Sequence, residues 1–325
     1  MGLRHAQGAL KCAQVAHLTM SDISSEALEK AKGELEGRWN GKTVDFVPST
    51  SLTGTFDVVI MATTATDRLE SCRNMLAFSP ARLLVEKPLG QSYEEVESVS
   101  RLLSSHPGVK ACVNLNTRMY PFIADLKRDL SSMPQFEGCK YINYSGGTLG
   151  IGANGIHYLD LIFHLLDADE AEFKHGEVDD NMIPSGRGPA FGDFGGWASI
   201  HFSRGGRLVG KSLIMLSSTS TVFGGWEFIG THGRIRINEL EGTRTDILRR
   251  PDSVLPINRY AGDYMEPVTR AIQSPALSDL TCRWLDGIAG GHDLLPGLHE
   301  SLTVHKVMFD WLSASRTHKG SFPIT

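Results

Sequence analysis

The 325-residue sequence lacks the features that mark several large classes of protein. It has no run of basic residues and a formal net charge of -5, which argues against nucleic acid as the main partner. No window is long and apolar enough to predict a membrane span, and the first residues contain no apolar signal-peptide core. We therefore expect a soluble cytoplasmic protein that acts on a small molecule.

Paired cysteines are also absent. The sequence has five cysteines, far apart and without a C-x-x-C pair: Cys12, Cys72, Cys112, Cys139 and Cys282. This pattern favours free thiols in a reducing compartment over disulfides or zinc. No histidine or carboxylate lies at a spacing that would complete a ligand set, so we expect no metal site.

The composition is that of an ordinary globular protein, with 41% hydrophobic and 21% charged residues, and the length favours two domains. Residues 1–119 alternate strands with helices, which predicts a Rossmann-type parallel sheet with helices on both faces. Residues 120–325 contain mostly successive strands, which predicts an α+β domain with a large, mostly antiparallel sheet. We expect helices on one side of that sheet, a partner subunit on the other, and final helices able to pack on the first domain.

A short apolar run at 82–85 is followed by Glu86, Lys87 and Pro88. Such a run predicts a strand buried on both faces, and ligands in open α/β sheets bind at the carboxyl ends of these strands. Lys87 is therefore predicted to point into a ligand crevice. The alternative is that Glu86 and Lys87 form an ordinary solvated strand end.

Two earlier strands also end in polar residues. The run at 15–20 stops at Ser21 and Asp22 before a helix, as in the second unit of a dinucleotide-binding fold. An acid there takes the adenosine ribose hydroxyls and favours NAD over NADP, although Asp22 could instead only cap the helix. A further strand at 56–62 ends in Thr63 and Thr64, which could line a crevice without filling it.

In the second domain, an apolar helix carries His157 and Asp160, three residues apart on one face. His157 could act as a general acid/base, with Asp160 or another group fixing its orientation. The alternative is a structural histidine with its hydrogen bonds satisfied.

Four motifs occur in order over nearly the whole chain, and together they carry a resemblance. They are Glu86-Lys87-Pro88, Asn116-Thr117-Arg118 with Tyr120-Pro121, the run GIHYLD at 155–160, and the run WEFIGTHGRI at 226–235. In these motifs the sequence resembles the Gfo/Idh/MocA oxidoreductases, the family of glucose-fructose oxidoreductase and inositol dehydrogenase.

The resemblance implies an NAD(P)-binding Rossmann domain, a C-terminal sheet that forms a homodimer or homotetramer, and hydride transfer at a sugar, sugar-nucleotide or cyclitol carbon. It implies that Lys87 touches the reacting hydroxyl and the nicotinamide ribose, and that His157 is the acid/base. The residues expected along the cofactor are Gly2, Asp22, Thr63, Thr64, Glu86, Lys87 and Asn116. Those expected near the substrate are Arg118, Tyr120, Asn154 and Asp160.

The sequence departs from the family at its start. The family begins with a strand and a glycine-rich turn that holds the pyrophosphate, whereas here Gly2 matches only the last glycine of that turn. We expect a start codon assigned too far downstream. A genuine lack of the strand would expose two sheet edges and remove most of the pyrophosphate site.

A second departure lies one turn before His157. Family members usually have an aspartate there, but this sequence has Ala153, followed by Asn154, which can donate a hydrogen bond but cannot take a proton. Two alternatives therefore stay open beside the dehydrogenase. One is a catalytically weak or inert relative that binds a sugar or sugar nucleotide, and the other is a reductase of an imine or enone.

Overall fold

The computed structural model describes residues 1–138, 140–147, 150–220, 224–256, 259, 263–315 and 320–325. Within these ranges lie the helices α1 (Gly2–Lys11), α2 (Ser25–Leu35), α3 (Arg68–Leu76), α4 (Tyr93–Ser104), α5 (Pro121–Ser132), α6 (Ile156–Leu165), α7 (Leu277–Ala289) and α8 (Leu298–Leu312). None of the helices in these ranges is long and apolar enough to cross a membrane.

The strands follow the order predicted from the sequence, with two additions near the end. They are β1 (His17–Asp22), β2 (Thr43–Pro48), β3 (Val58–Met61), β4 (Arg82–Val85), β5 (Lys110–Val113), β6 (Lys140–Gly147), β7 (Glu170–Pro184), β8 (Gly192–Arg204), β9 (Arg207–Ser217), β10 (Gly225–Ile229), β11 (Gly233–Asn238), β12 (Thr243–Leu248) and β13 (Val268–Ala271). The sequence analysis did not predict β12 or β13.

The first half of the chain forms two small parallel sheets instead of one. Strand β1 pairs with β2, while β4 lies between β3 and β5. In the described part of the chain, β1 and β3 each keep one edge without a strand partner. The prediction of alternating strands and helices is confirmed, but the expected single parallel sheet is divided between β1 and β3.

Strand β4 is buried as its sequence predicts. Leu83, Leu84 and Val85 are at most 1% exposed, because neighbouring strands and helices cover both faces. The parallel register places Met61 beside Val85 and Val85 beside Val113. The residues that follow these three strands therefore meet at one edge of the sheet.

The second half of the chain forms an eight-stranded sheet with the order β13-β12-β11-β10-β6-β9-β8-β7. Every pair is antiparallel except β6 with β9. Side chains alternate between a buried face and an open face, as the period of two in a strand requires. The buried face carries Ile142, Tyr144, Ala198, Ile200, Phe202, Ile214, Leu216 and Phe228. The predicted mostly antiparallel sheet is thus confirmed.

Helix α7, late in the chain, packs closely on α1 at its beginning. A Cβ atom at Gly8 would lie 2.4 Å from the carbonyl oxygen of Ser278, so only glycine fits this crossing without a shift. Lys11 Nζ donates to Asp279 Oδ1 at 2.6 Å, and the His5 ring also contacts α7. Helix α1 is therefore held by a segment far along the chain, since Lys11 and Asp279 are 268 residues apart.

Candidate active site

Lys87 lies just beyond β4 and points toward the turn that leads into α6. Its side chain is half-buried, and Nζ donates to the carbonyl oxygen of Ala153. Burial lowers the pKa of Lys87, an effect that the carboxylates of Glu86 and Asp193 oppose. Lys87 thus follows the buried strand β4, and the ligand crevice expected there stays a prediction.

Glu86 is fully buried, so the alternative of a solvated strand end is wrong. Its Oε1 accepts from His5 Nε2 at 2.7 Å and from Asn114 Nδ2 at 2.7 Å. Among the described residues Oε2 has no hydrogen-bond partner. Burial alone would raise the pKa of Glu86, but the hydrogen bond and charge of His5, with the Lys87 cation, lower it to about 2.

His5 and Asn114 are site residues that the sequence analysis missed. Both are buried, at 3% exposure each, and both hold the same oxygen of Glu86. The second ring nitrogen of His5, Nδ1, lies 2.9 Å from Thr281 Oγ1 on α7. Asn114 could have been found because it follows β5 directly, but the contact of His5 with Glu86 leaves no local signal in the sequence.

His157 is the second residue of α6 and is half-buried. Its Nδ1 is buried and has no hydrogen-bond partner in the described ranges. Burial lowers the pKa of His157 to about 3, the nearby Lys87 cation acts in the same direction, and Glu86 opposes both. The imidazole is therefore neutral at neutral pH, which is the form that can accept a proton.

Asp160 does not orient His157, contrary to the hypothesis from their spacing. Its two oxygens accept from Arg118 Nε at 3.0 Å and Nη2 at 2.5 Å, and Arg118 Nη1 also donates to Glu300 at 2.9 Å. Burial raises the pKa of Asp160 to about 6, although Arg118 opposes the shift. This buried ion pair joins the turn after β5 to α6, and the predicted substrate role of both residues stays a prediction.

Arg118 also lines a cavity at the other edge of the sheet. The cavity measures about 700 Å³, and its lining includes Arg82 and Lys110, the first residues of β4 and β5. Lys87, by contrast, follows the last residue of β4. Arg118 therefore lines a cavity near the first residues of β4 and β5, whereas Lys87 lies beyond the last residue of β4.

Asp193 on β8 is a third residue that the sequence analysis missed. Its carboxylate accepts from the backbone amides of Gly152 at 3.1 Å, Ala153 at 2.6 Å and Phe194 at 2.8 Å. It is 6% exposed, and burial raises its pKa while these hydrogen bonds and Lys87 oppose the shift. Asp193 thus fixes the turn at 151–155, whose Ala153 carbonyl holds Lys87.

The predicted cofactor residues after β3 and β5 lie at the same sheet edge as Glu86. Thr63 Oγ1 accepts from Arg68 Nη1 at 3.1 Å, and Thr64 and Asn116 are half-buried. Arg68, which no motif pointed to, is fully buried and donates from Nη2 to the carbonyl oxygen of Pro88 at 3.3 Å. Burial lowers its pKa to about 10. Arg68 thereby links the end of β3 to the turn after Lys87.

Gly2 and Asp22 lie near the start of the chain. Gly2 is the first residue of α1, which has no side-chain cap, and a Cβ there would make an ordinary 3.7 Å contact with Ala62. Asp22 is exposed at the end of β1, and its Oδ1 accepts from the Ser24 amide at 2.9 Å. The cap of α2 is Ser24, whose hydroxyl oxygen accepts from the Ala27 amide, so Asp22 supports the turn before the helix and does not cap it. Its exposed side chain is accessible to a ligand.

Tyr120 and Asn154 complete the set predicted near the substrate. Tyr120 is half-buried, and its ring packs edge-on against Phe122 with centroids 6.0 Å apart. Burial raises the pKa of Tyr120. Asn154 is half-buried next to Ala153, and its backbone N–H donates to the carbonyl oxygen of Gly150 at 2.8 Å. Of these two residues, Asn154 directly follows Ala153, whose carbonyl oxygen accepts the hydrogen bond from Lys87.

No protein-family model matches the chain, and no curated protein matches it. Solved structures do match over nearly its whole length. Levoglucosan dehydrogenase, in complex with NADH and levoglucosan, is 14% identical with a TM-score of 0.71, over 96% of this chain and 92% of its own. UDP-N-acetylglucosamine 3-dehydrogenase from Acidithiobacillus ferrooxidans is 16% identical with a TM-score of 0.68, over 96% and 93%.

A third match is a super-repressor mutant of Gal80p from Saccharomyces cerevisiae. It is 14% identical with a TM-score of 0.68, over 95% of this chain and 90% of its own. Other matching structures hold NAD+ or NADP. At these identities the likeness concerns the fold. The chain has the fold of the Gfo/Idh/MocA-type NAD-binding oxidoreductases, as its four motifs predict.

Proposed function

We propose that this protein is an oxidoreductase that transfers a hydride between NAD(P) and a sugar, sugar nucleotide or cyclitol. The observation that carries the proposal is that the Lys87 cation and the fully buried carboxylate of Glu86 both act on the pKa of His157, which places the three groups near one another. The exposed Asp22 favours NAD over NADP because a carboxylate suits ribose hydroxyls better than a phosphate.

The residues present fit the nicotinamide half of the cofactor. Glu86 Oε2 and His157 Nδ1 are buried, and in the described chain neither has a hydrogen-bond partner. Buried polar atoms are costly without partners, so these two favour a polar ligand at the strand ends. Thr63, Thr64 and Asn116 would lie along the cofactor, which would supply the hydride donor or acceptor.

The fit is weaker toward the pyrophosphate. The ten-residue helix α1 offers the amides of its uncapped first turn, beginning at Gly2, and helix N-termini favour anions. The two free edges of β1 and β3 flank this helix.

In the proposed mechanism His157 exchanges a proton with the substrate oxygen and Lys87 stabilises the negative charge that develops there. For this, Lys87 must exchange the Ala153 carbonyl for the substrate oxygen, a change within reach of its flexible side chain. Asp193 keeps the turn at 151–155 fixed while Lys87 moves. Because the pKa of Lys87 is lowered, its ammonium is also a better proton donor than an exposed lysine.

Calorimetry with NADH and NADPH on the full chain tests the cofactor. We expect one site per chain with tighter binding of NADH, and loss of that preference in Asp22→Ala. A panel of sugars, sugar nucleotides and cyclitols is then screened for oxidation or reduction by absorbance of the nicotinamide. If neither nucleotide binds, the oxidoreductase proposal fails.

A specific observation favours a second candidate, a relative that binds a sugar nucleotide without redox chemistry. Ala153 offers Lys87 a carbonyl oxygen and no carboxylate, so His157 has no acidic partner in the preceding turn. The fold of the Gal80p repressor mutant is similar. Binding of a sugar nucleotide, without turnover in the presence of NADH, would support this candidate against the enzyme.

We also propose a homodimer formed through the open face of the large sheet. Trp197 and Met215 lie opposite each other on β8 and β9, and Leu213 and Tyr141 lie on the same face. These four side chains are 37%, 51%, 46% and 51% exposed. An apolar patch of this kind marks a protein interface more often than free surface. Met215→Glu should give monomers in analytical ultracentrifugation, whereas Leu240→Glu, at an exposed turn, should not.

A further inference from the structure

Two cysteines that are far apart in the sequence meet where α1 packs on α7. Cys12 follows the last residue of α1 and is fully buried, and Cys282 lies on α7, one turn before Asp286. Cys12 Sγ donates to Asp286 Oδ1 at 3.2 Å, and Cys282 Sγ donates to Oδ2 at 3.6 Å. All three donor atoms lie within 4.8 Å of one another.

These separations match the edges of a tetrahedral metal site. Bond lengths of about 2.3 Å to sulfur and 2.0 Å to oxygen place neighbouring sulfur and oxygen ligands about 3.5 Å apart. The observed contacts of 3.2 and 3.6 Å lie on either side of that value. The two sulfur atoms contact the two oxygens of one carboxylate, and the three donor atoms are close enough for one ion to bind them after small side-chain movements.

We propose that Cys12, Cys282 and Asp286 bind a divalent cation that prefers sulfur ligands, for which Zn²⁺ is the probe. Two thiolates and a carboxylate form a donor set that zinc accepts, and water supplies the fourth ligand because Asp286 is exposed. The spacing of the cysteines favours free thiols, and this proposal departs from that expectation for Cys12 and Cys282. Spacing along the chain is not distance in the fold.

The exchange of protons for metal balances in charge. Without metal the cluster holds two neutral thiols and one carboxylate, a net charge of about −1 for ordinary ionisation states. The cation takes the place of both thiol protons, which leave to the solvent, and the metal-bound cluster again carries about −1. No oxidation or reduction takes place, and the partly buried cluster does not gain charge when the ion enters.

The proposed metal site takes no part in the proposed redox reaction, but it lies on the two helices that hold a partner of Glu86. A cation bound by Cys12 on one side and by Cys282 and Asp286 on the other would join α1 to α7. The same two helices hold His5, whose Nε2 donates to Glu86 and whose Nδ1 contacts Thr281. Metal binding should therefore stabilise the fold and keep the Glu86 partner in place.

The experiment uses the full, reduced chain after removal of metal with a chelator. Zn²⁺ is titrated against a competing chelator, and Co²⁺ is added separately because cobalt bound to thiolate gives a near-ultraviolet charge-transfer band. We expect one equivalent of Zn²⁺, a rise in Tm, and a cobalt band from two thiolates. Losing a residue that only orients a ligand already weakens metal binding by about 10- to 100-fold, so Cys12→Ser and Cys282→Ser should weaken it by at least about 100-fold.

Cys72→Ala is the matched control, because Cys72 is equally buried but packs in a different core cluster. It should keep the zinc affinity and the cobalt band of the original protein. Asp286→Asn changes an exposed side chain, so the variant should fold normally. It should bind zinc more weakly and retain the cobalt band that the thiolates produce. The proposal is overturned if the cobalt band keeps the intensity of two thiolates in both Cys12→Ser and Cys282→Ser, or if Asp286→Asn and the original protein bind zinc equally.

Discussion

Two buried clusters of charge lie on opposite sides of the chain's central strands, and they differ in how completely their polar atoms are satisfied. The Arg118 guanidinium uses three nitrogens on Asp160 and Glu300, and no atom of these three residues is left buried without a partner in the described chain. The cluster of Glu86, Lys87 and His157 leaves Glu86 Oε2 and His157 Nδ1 unpartnered.

The difference separates a structural ion pair from a candidate reaction site. A buried charge pair that satisfies itself has nothing left to offer a ligand, whereas unpaired buried atoms gain hydrogen bonds when a ligand enters. The two clusters should therefore respond differently to mutation. Changes in the Glu86 cluster should reduce turnover, and changes in the Arg118 cluster should reduce stability.

The largest effect is expected for Lys87→Met, which removes the cation but keeps the length of the side chain. Turnover should fall by about 10²- to 10⁴-fold, the usual contribution of a group that assists proton transfer, while Tm changes little. Steady-state kinetics with the substrate from the screen, together with thermal unfolding, measure both. Lys110→Met, at the exposed start of β5, is the control and should keep full activity. Equal turnover in the two variants would contradict the assignment.

Arg118→Met should reduce stability, in contrast to Lys87→Met, which should reduce turnover. It leaves the fully buried Asp160 without its partner, and breaking a buried pair in this way costs about 3–5 kcal/mol of unfolding free energy. Urea unfolding at pH 7.5 measures the loss. Burial raises the pKa of Asp160, and the variant lacks the arginine that opposes this shift, so the deficit should shrink at pH 5, where the lone carboxyl is protonated in the folded protein. Arg128→Met, an exposed arginine, should cost less than about 1 kcal/mol.

Stability should also fall as the pH is lowered from 6.5 to 4.5. Burial lowers the folded pKa values of His157 and His164 to about 3 and of His305 to about 4. Below pH 6.5 the unfolded chain therefore binds more protons at these histidines than the folded chain does, so folding becomes less favourable. The raised pKa values of Asp160, Asp193 and Glu239 act in the opposite direction and offset part of this loss.

Each of the three histidines should contribute about 2 kcal/mol to the loss over this interval, since one pKa unit corresponds to about 1.4 kcal/mol, and the raised carboxyls offset part of the total. Urea unfolding at a series of pH values measures it. The exposed His17→Gln variant should show the same slope as the original protein. A stability that is flat or rises toward pH 4.5 would show that the three histidines are accessible to protons in the folded state.

The smallest effect is expected for Asp193→Asn, which acts on Lys87 only through the turn at 151–155. The amide keeps one acceptor and loses the other, so the bond from the Ala153 amide or that from Gly152 is lost. We expect kcat to fall by about tenfold, equivalent to about 1.4 kcal/mol, with KM nearly unchanged and a shifted pH profile of kcat. Asp179→Asn removes a comparable bond, to the Ser218 amide, and should leave that profile in place.

The sequence predicted most of this architecture because most of it follows from local patterns. The continuous apolar run predicted β4, and alternating side chains predicted strands of the large sheet. The edge strand β13 escaped because all four of its residues are exposed, so burial imposes no alternation on them. Likewise, the division of the parallel sheet depends on which strands pair, a property that strand patterns alone do not encode.

The candidate site was predictable only in part. Lys87 and His157 lie in recognisable motifs, whereas the contacts of His5 with Glu86 and of Asp193 with the turn at 151–155 join residues 81 and about 40 positions apart. Periodicity extends over one helix or strand and carries no information about such pairs. The hypothesis for Asp160 was wrong for a related reason. The spacing of three residues places His157 and Asp160 on one face of α6, but it does not show whether Asp160 pairs with His157 or with Arg118, which lies in another segment.

The packing of α1 on α7 also sets an order of events during synthesis. His5 and Thr281 are separated by 276 residues, so at about 5–20 residues per second the ribosome makes α7 roughly 15–55 s after α1. Until then α1 has no partner at Gly8, and the contact that orients His5 toward Glu86 is missing. The nascent chain must therefore keep its first helix available while later segments fold, and the carboxylate at the centre of the site gains its full set of partners late.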